Sequence, residues 1–517
     1  MEMRAFSGAR TRFLQCAPEN ARPRPRAKNR RAVFRSSQED PLHSISRDHF
    51  IFEKSFFQTL FAIAVPIALQ NMISFGVSVT DSVMLGSLGD VAISAANLGT
   101  QPFSILMSCG FGLSSGGSVL IAQYWGKKDM VRIRKVMRMS MQFVLVLSVL
   151  ITAVCLAFPV PIMRIFSSEE PVVQAAASYL SLVALSYIPY SISSNYMMSL
   201  RAVEKVKVST LIYAVSFFVN VFFNYVFIFG KFGAPALGVR GAAVGTVLAR
   251  CSELALALLY MYRHENVTGF RLHRCCGWDG ELLPSYVQHA LPVVGNEILW
   301  GLGFVLTTVI VGRIGSTFVA ANSIAGVLNQ LMFVSIIGVA NAAAVITGKT
   351  IGEGDRPRAQ RAANTLMLMA VGVGVFNCAL VLLLRTPFLM LYKVTPATHE
   401  AARQIISVLA VLQLLMGVEV TGIIGVLRGG GDTRRAFLYD CGSLWALSVP
   451  MGILAGWVLK WPVPLVYACM RLDSPVKAAL AFLRIRSGKW IRCVTVGDAP
   501  AAEAELVQEA RQDAQLP

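Results

Sequence analysis

Apolar residues in this chain come in blocks about as long as a lipid bilayer is thick. "FVLVLSVLITAVCLAF" (143–158) and "LMLMAVGVGVFNCALVLLL" (366–384) are two of them. Each is close to the roughly 20 residues that a spanning helix needs. A very large water-soluble core would instead demand amphipathic helices or alternating strands, and these blocks follow neither period. Composition agrees: of 517 residues, 55% are hydrophobic and only 15% are charged, against about 25% charged in an ordinary soluble domain. The chain therefore reads as an all-α integral membrane protein lying in a lipid bilayer.

Apolar segments fall near 56–80, 95–122, 140–160, 175–199, 208–229, 240–262, 287–311, 317–347, 364–384, 404–427, 436–459 and 462–483. The twelfth is the weakest, because Arg471, Asp473 and Lys477 interrupt it, and an interfacial or tilted helix is the alternative there. The net charge of +18 does not point to nucleic acid, since the basic residues sit between apolar blocks and in the tails. Loops after even-numbered segments hold Lys127, Lys128, Arg132, Arg201, Lys205, Lys349, Arg356, Arg428 and Arg434, whereas "GSLGD" (86–90) and "SSEEP" (167–171) after odd ones are poor in cations. The bias of Lys and Arg toward cytoplasmic loops places both termini in the cytoplasm, of a protein in the cell membrane.

A repeat organises the chain. An offset of 226 residues superposes Pro66 on Pro292, Gly86 on Gly312, Gly89 on Gly315, Gly112 on Gly338, Gly126 on Gly352 and Asp129 on Asp355; one further residue sets Leu200–Arg201 on Leu427–Arg428. The expected fold is about twelve transmembrane helices in two pseudo-symmetric six-helix bundles with a central cavity. Six spans per half send both halves into the membrane the same way, as in parallel-repeat transporters. The expected organisation is a basic, disordered tail at 1–50, an N-terminal lobe at 51–262, a cytoplasmic linker at 263–286, a C-terminal lobe at 287–485 and a C-terminal tail at 486–517. The ten cysteines show no metal spacing and read as reduced packing residues.

The chain holds no phosphate loop, catalytic triad pattern or metal cluster, and "GGG" (429–431) lacks the ending of a nucleotide loop and reads as a tight cytoplasmic turn. Neither an enzyme nor a cofactor is expected. The informative residues are acids inside apolar segments, because a mid-membrane carboxylate costs about 2.5–3.5 kcal/mol on insertion scales and usually faces a cavity or a partner. Asp81, Glu297, Glu419 and Asp440 qualify; Glu253 lies three residues after Arg250 and reads as half of a structural pair near the membrane surface. Glu297 follows Asn296 one turn after Pro292, and the repeat sets Gln70 and Asn71 at the same place after Pro66. The amides suit a proline-frayed backbone; a carboxylate that takes up H⁺ or Na⁺ suits an ion switch. Gln70, Asn71 and Asn296, with Gln101, Asn220, Asn224, Asn329 and Gln330, are the polar candidates for the cavity wall, and Trp300, Tyr187 and Tyr190 are ring faces suited to an organic cation.

The motifs "DSVMLGSLGDVAISA" (81–95), "AQYWGKKD" (122–129), "FGAPALGVRGAAVGT" (232–246), "GSTFVAANSIA" (315–325) and "VLRGGGDTRR" (426–435) resemble those of the multidrug and toxic compound extrusion (MATE) family, from about residue 55 to 460. The resemblance implies two six-helix lobes and export of organic, often cationic, compounds against entry of H⁺ or Na⁺. It sets Asp81 on the family's first-helix acid. One branch's seventh-helix acid falls on Trp300, with Glu297 a turn earlier; its tenth-helix acid falls on Gly417, with Glu419 two residues later; another branch's fifth-helix acid falls on Asn224. The expected coupling acids are Asp81, Glu297 and Glu419, in an antiporter that works as a monomer on small organic substrates. A flippase for lipid-linked precursors is the rival, and would need a strongly cationic central cavity.

Overall fold

The computed structural model describes residues 49–272, 277 and 279–495. The expected N-terminal tail, most of "RCCG" in the linker and the last stretch of the C-terminal tail lie outside them. The described residues are helical throughout, with eleven helices long and apolar enough to cross a membrane. In the first half these are α1 (Lys54–Gly86), α2 (Asp90–Gly126), α3 (Met130–Ala157), α4 (Glu170–Ala202), α5 (Val206–Phe229) and α6 (Val239–Arg263). The second half has α7 (Leu283–Ile314), α8 (Ser316–Gly352), α9 (Arg356–Met390), α10 (Pro396–Arg428) and α11 (Thr433–Val458). The twelfth segment is not one helix: it is broken into α12 (Val463–Cys469) and α13 (Asp473–Arg486) at the turn holding Arg471.

Up to the broken twelfth segment, the repeat is realised in the helices. The bounds of α2 and α8 and those of α4 and α10 stand at the same offset that aligns the glycines. Asp129 caps α3 by accepting from the Arg132 amide at 3.0 Å, and its mate Asp355 caps α9 by accepting from the Arg358 amide at 2.8 Å. Such a cap satisfies a backbone donor that the helix leaves free. Gly89 and Gly315, which open α2 and α8, both adopt positive φ, 98° and 148°.

The lobes meet on glycine. A Cβ on Gly112 would collide with the backbone of Val294, and one on Gly338 would crowd Ala68, the repeat mate of Val294. A Cβ on Gly116 would strike Ala290. At the end of the same helices, Gly126 lies against the backbone of Lys349 and Gly352, and Gly352 against that of Gln123. Small residues allow this approach where lipid offers no hydrophobic push. Around it, Phe56, Leu60, Ile63 and Ile67 of α1 form one apolar core with Val339, Ala342 and Ile346 of α8.

This end is further tied by polar contacts. The Lys349 ammonium sits 2.9 Å from the carboxylate of Glu204, which also accepts from the Trp125 indole at 3.1 Å. The chain after α13 crosses the same end as a strap. The amide of Gln123 donates to the Arg492 carbonyl at 2.9 Å and accepts from the Val494 amide at 2.8 Å. The Trp490 ring is fully buried where a Cβ on Gly430 would lie. The "GGG" turn is thus a packing seat for a tryptophan as well as a turn.

Replacing Gly126 or Gly352 by Leu forces backbone apart on both sides. The expected cost is about 1–3 kcal/mol or more, the usual range for overpacking, seen as a lower thermal unfolding midpoint of the purified protein. Gly110→Leu and Gly326→Leu, where the space is open, should leave the midpoint nearly unchanged.

Candidate functional site

Two polar centres lie inside the lobes. In the N-terminal lobe, Asn224 donates to the Asp81 carboxylate at 2.6 Å and to the Asn220 side-chain oxygen at 3.1 Å. Asn220 and Asn224 are buried, at 3% and 0% exposure. Glycine makes the room: a Cβ on Gly245 would run into the Asn224 amide. The structure therefore brings three of the expected residues together, from α1 and α5. Asp81 has no ion pair among the described residues, and the Asn224 amide oxygen is buried without a partner. A carboxylate, two amides and an unmet acceptor form an oxygen-rich niche for a proton or a small hard cation.

Arg250 lies within electrostatic reach of Asp81, but its guanidinium is bound to other groups. It binds Glu253 at 2.8 Å, and Glu253 also accepts from the Ser193 hydroxyl at 2.7 Å. The pair expected at the membrane surface is instead interior, with Glu253 fully buried. Arg250 also lies over the Tyr190 ring, 4.8 Å from its centroid. The cation on that aromatic face is the chain's own. Tyr187 does not offer a ring to the cavity either: it is completely buried against Phe103.

The second centre, in the C-terminal lobe, is built from ion pairs. Arg428, read from sequence as a loop cation, is 3% exposed at the end of α10 and binds Glu297 of α7 at 3.1 Å. Its other amino group lies 3.9 Å from Asp440 of α11. Asp440 accepts from Asn296 at 2.9 Å and pairs with Lys477 of α13 at 2.7 Å; Lys477 also pairs with Asp473 at 2.6 Å. Glu419 lies beside Ser474 and within reach of Lys477, Asp473 and Asp440.

The amide copy of this arrangement explains the Pro-plus-polar-pair element. In the N-terminal lobe Arg201, the mate of Arg428, donates to Gln70 at 2.6 Å, and Gln70 donates to Thr210 at 2.8 Å. Asn71 donates to the Ile67 carbonyl one turn back, at 2.8 Å. In both lobes an arginine from the end of the fourth helix is held by a polar side chain one turn past the proline of the first. Glu297 is the acidic version of that clamp.

The remaining expected cavity residues are scattered. Gln101 and Gln330 are exposed, and Gln101 donates to the Asn97 carbonyl of its own helix. Asn329 accepts from Gln413 at 3.0 Å. Trp300 is 49% exposed and stacks on Phe304. A small cleft between the lobes is lined by Ile67, Ser118, Met198, Arg201 and Asn341, among others, and by none of the expected cavity residues. Sequence reasoning missed Arg428 and Lys477 as interior cations. The Leu200–Arg201 match to Leu427–Arg428 was the available signal for the first, and the four-residue spacing from Asp473 for the second.

Fold and centres together define a polytopic helical membrane protein of two duplicated lobes with a polar core in each. The profile of the MatE family matches residues 66–226 and 292–454, one stretch in each lobe, and the chain belongs to that family. The multidrug resistance protein MdtK of Pectobacterium atrosepticum is 29% identical over 397 residues, 76% of this chain and 86% of that protein. MdtK of Yersinia pseudotuberculosis is 27% identical over 400 residues, 77% of this chain and 87% of that protein. Among solved structures, a MOP superfamily transporter from Pyrococcus furiosus superposes with a TM-score of 0.76 at 18% identity, over 83% of this chain and 96% of the other. An outward-facing multidrug resistance MATE family transporter gives 0.77 at 18% identity, over 83% and 96%. At that identity the likeness is one of fold.

Glu297→Gln leaves the Arg428 guanidinium without its nearest counter-charge. Breaking a buried ion pair from one side costs about 3–5 kcal/mol, so a marked fall in the thermal unfolding midpoint is expected. Adding Arg428→Gln should recover part of the loss. Asn71→Ala, at the repeat mate, should cost much less.

Proposed function

We propose that this protein is a multidrug exporter that moves organic, often cationic, molecules across the cell's inner membrane in exchange for H⁺ or Na⁺. The curated relatives it matches along most of their length are multidrug resistance proteins. The observation that carries the coupling reading is Asp81, an intramembrane carboxylate held by amides rather than by a fixed cation. Taking up H⁺ or Na⁺ there neutralises the niche, and releasing it restores the charge. Alternation of one lobe against the other would then couple that cycle to export.

Glu297 takes a different role from the one its sequence context implies. With Arg428 bound at 3.1 Å, it is a structural clamp, and Asp81 is the coupling acid. Trp300 and Phe304, exposed and stacked one turn beyond Glu297 on α7, offer the aromatic surface for a cationic substrate. Arg201, Arg250, Arg428 and Lys477 are engaged by Gln70, Glu253, Glu297 and Asp440 respectively, so the free cationic cavity of a precursor flippase is not favoured. The reading includes a monomer with both termini in the cytoplasm and no cofactor beyond the coupling ion. The glycine-closed, strap-bound end is then the cytoplasmic one.

Efflux of a fluorescent organic cation from vesicles, under separately imposed proton and sodium gradients, tests this. Asp81→Asn should reduce gradient-driven efflux by at least about tenfold, the scale of one charge-assisted interaction. Glu297→Gln, corrected for folded protein, should retain most of it. Normal transport by Asp81→Asn under either gradient would show the coupling acid to be elsewhere.

A further inference from the structure

The charge cluster of the C-terminal lobe has a composition that the fold itself does not require. Four carboxylates, Glu297, Glu419, Asp440 and Asp473, face Arg428 and Lys477, with Arg471 in the field of Asp473 and Glu419. At the place 226 residues before Glu419 stands Ser193, and in the 227-residue register of Arg201 and Arg428 the mates of Asp440, Asp473 and Lys477 are Tyr213, Thr246 and Arg250, so none of these three acids has a charged counterpart. The interior of the N-terminal lobe holds the Arg250–Glu253 pair.

Helix geometry changes where the cluster sits. A π-helical stretch, Thr421–Arg428, starts two residues after Glu419. A second, Leu444–Ser448, follows Asp440 by one turn, and its Ser448 hydroxyl donates to Asp473 at 2.6 Å. The break between α12 and α13 falls just before Asp473. π turns interrupt the regular hydrogen-bond ladder and are concentrated at functional sites. Here every helix that supplies a group to Lys477 is irregular beside that group.

Lys477 occupies the middle. Its side chain is 3% exposed, and its ammonium lies 2.7 Å from Asp440 and 2.6 Å from Asp473, distances of direct charge-assisted hydrogen bonds. Glu419 is the third acid in its field. One Glu419 oxygen and the hydroxyl of Ser474, a residue 3% exposed, are buried beside one another. The surroundings are those of a cation site, with carboxylate oxygens from α11 and α13 in direct contact and a third acid from α10 nearby, and the cation present is covalently attached.

We propose that Lys477 is a tethered counter-ion: its ammonium holds the position between Asp440, Asp473 and Glu419 that an exchangeable inorganic cation would otherwise take. The C-terminal lobe then carries a permanently filled site, and ion exchange is confined to the N-terminal lobe. The assignment of exchange to Asp81 rests on the function proposed above; the tethered role of Lys477 does not. Removing the ammonium leaves an uncompensated anionic pocket that gains stability only by binding a cation from solution.

The test is thermal unfolding of the purified full chain at pH 8, in sodium chloride against choline chloride at equal ionic strength. Wild type and Lys477→Arg are expected to show no sodium-dependent midpoint that Asp440→Asn removes. Lys477→Met should unfold earlier in choline and recover by at least about 3 °C in sodium, a shift within reach of one weakly bound ion. Adding Asp440→Asn to Lys477→Met should abolish the recovery. Lys477→Met/Asp473→Asn, which removes one charge of each sign, should show the same response more weakly and serves where the single variant does not fold. Equal midpoints of these folded variants in both salts would overturn the proposal. So would a sodium response of the wild type that Asp440→Asn removes. Transport enters none of these readings, so failure of Asp81 as the coupling acid in vesicles would be seen separately.

Discussion

A charge inside a bilayer must have a counter-charge within reach, and the interior of this protein is arranged around that requirement. A single ionised side chain in a low-dielectric medium is costly, whereas a paired and hydrogen-bonded one is tolerated. Arg428 is buried because Glu297 stands 3.1 Å away, and Lys477 because Asp440 and Asp473 flank it. These pairs join α7, α10, α11 and α13, the elements that otherwise have the least reason to hold one register: two contain π turns and the last is half of a broken helix. The same requirement makes Asp81 stand out. Its partner is the amide of Asn224, a neutral donor rather than a fixed cation.

The two lobes share a frame but differ in how they meet this requirement. Pro66 and Pro292, the caps Asp129 and Asp355, and the glycines that close the lobes on each other are duplicated. So is the arginine at the end of the fourth helix of each lobe. What it finds is different: Gln70 in one half and Glu297 in the other. An amide holds a guanidinium by a dipole, and an acid holds it by a charge. The N-terminal lobe is left with an unpaired carboxylate at Asp81, while the C-terminal lobe is occupied by its own cations. Duplicated scaffolds allow this division, because packing and chemistry are carried by different residues.

Much of this fold could be read from sequence because bilayer-length apolar runs and a constant repeat offset are one-dimensional signals. The bounds of α2 and α8 follow that offset at both ends. The niche of Asp81, Asn220 and Asn224 was also legible, as polar residues kept in apolar helices. The C-terminal centre was not. Arg428 counts as a loop cation when charges are sorted by segment, yet the π-helical stretch Thr421–Arg428 carries it into the interior. Lys477 counted against a spanning helix, when its charge is the reason α13 packs where it does. Tyr187 and Tyr190 failed as ligand-facing aromatics for a related reason: ring chemistry is visible in sequence, but an arginine from another helix already lying on Tyr190 is not.

Closure of the lobes on one side sets the remaining constraint on any alternation between them. The contacts there are of two kinds that respond differently to force. Gly126 and Gly352 bring backbones together with no side chain between them, so a small displacement ends the contact outright, and dispersion falls steeply with distance. The strap is longer in reach: Gln123 holds it by two hydrogen bonds, and Trp490 sits on Gly430 in the turn after α10. That turn leads directly from Arg428 to Asp432, which Arg484 and Arg492 also hold, at 2.7 and 3.2 Å. The interior charge cluster and the closed face are therefore consecutive along α10 and its turn. A shift of α10 that disturbed Arg428 would also move the seat of the strap, which gives the C-terminal lobe a mechanical link to closure without an exchangeable ion of its own.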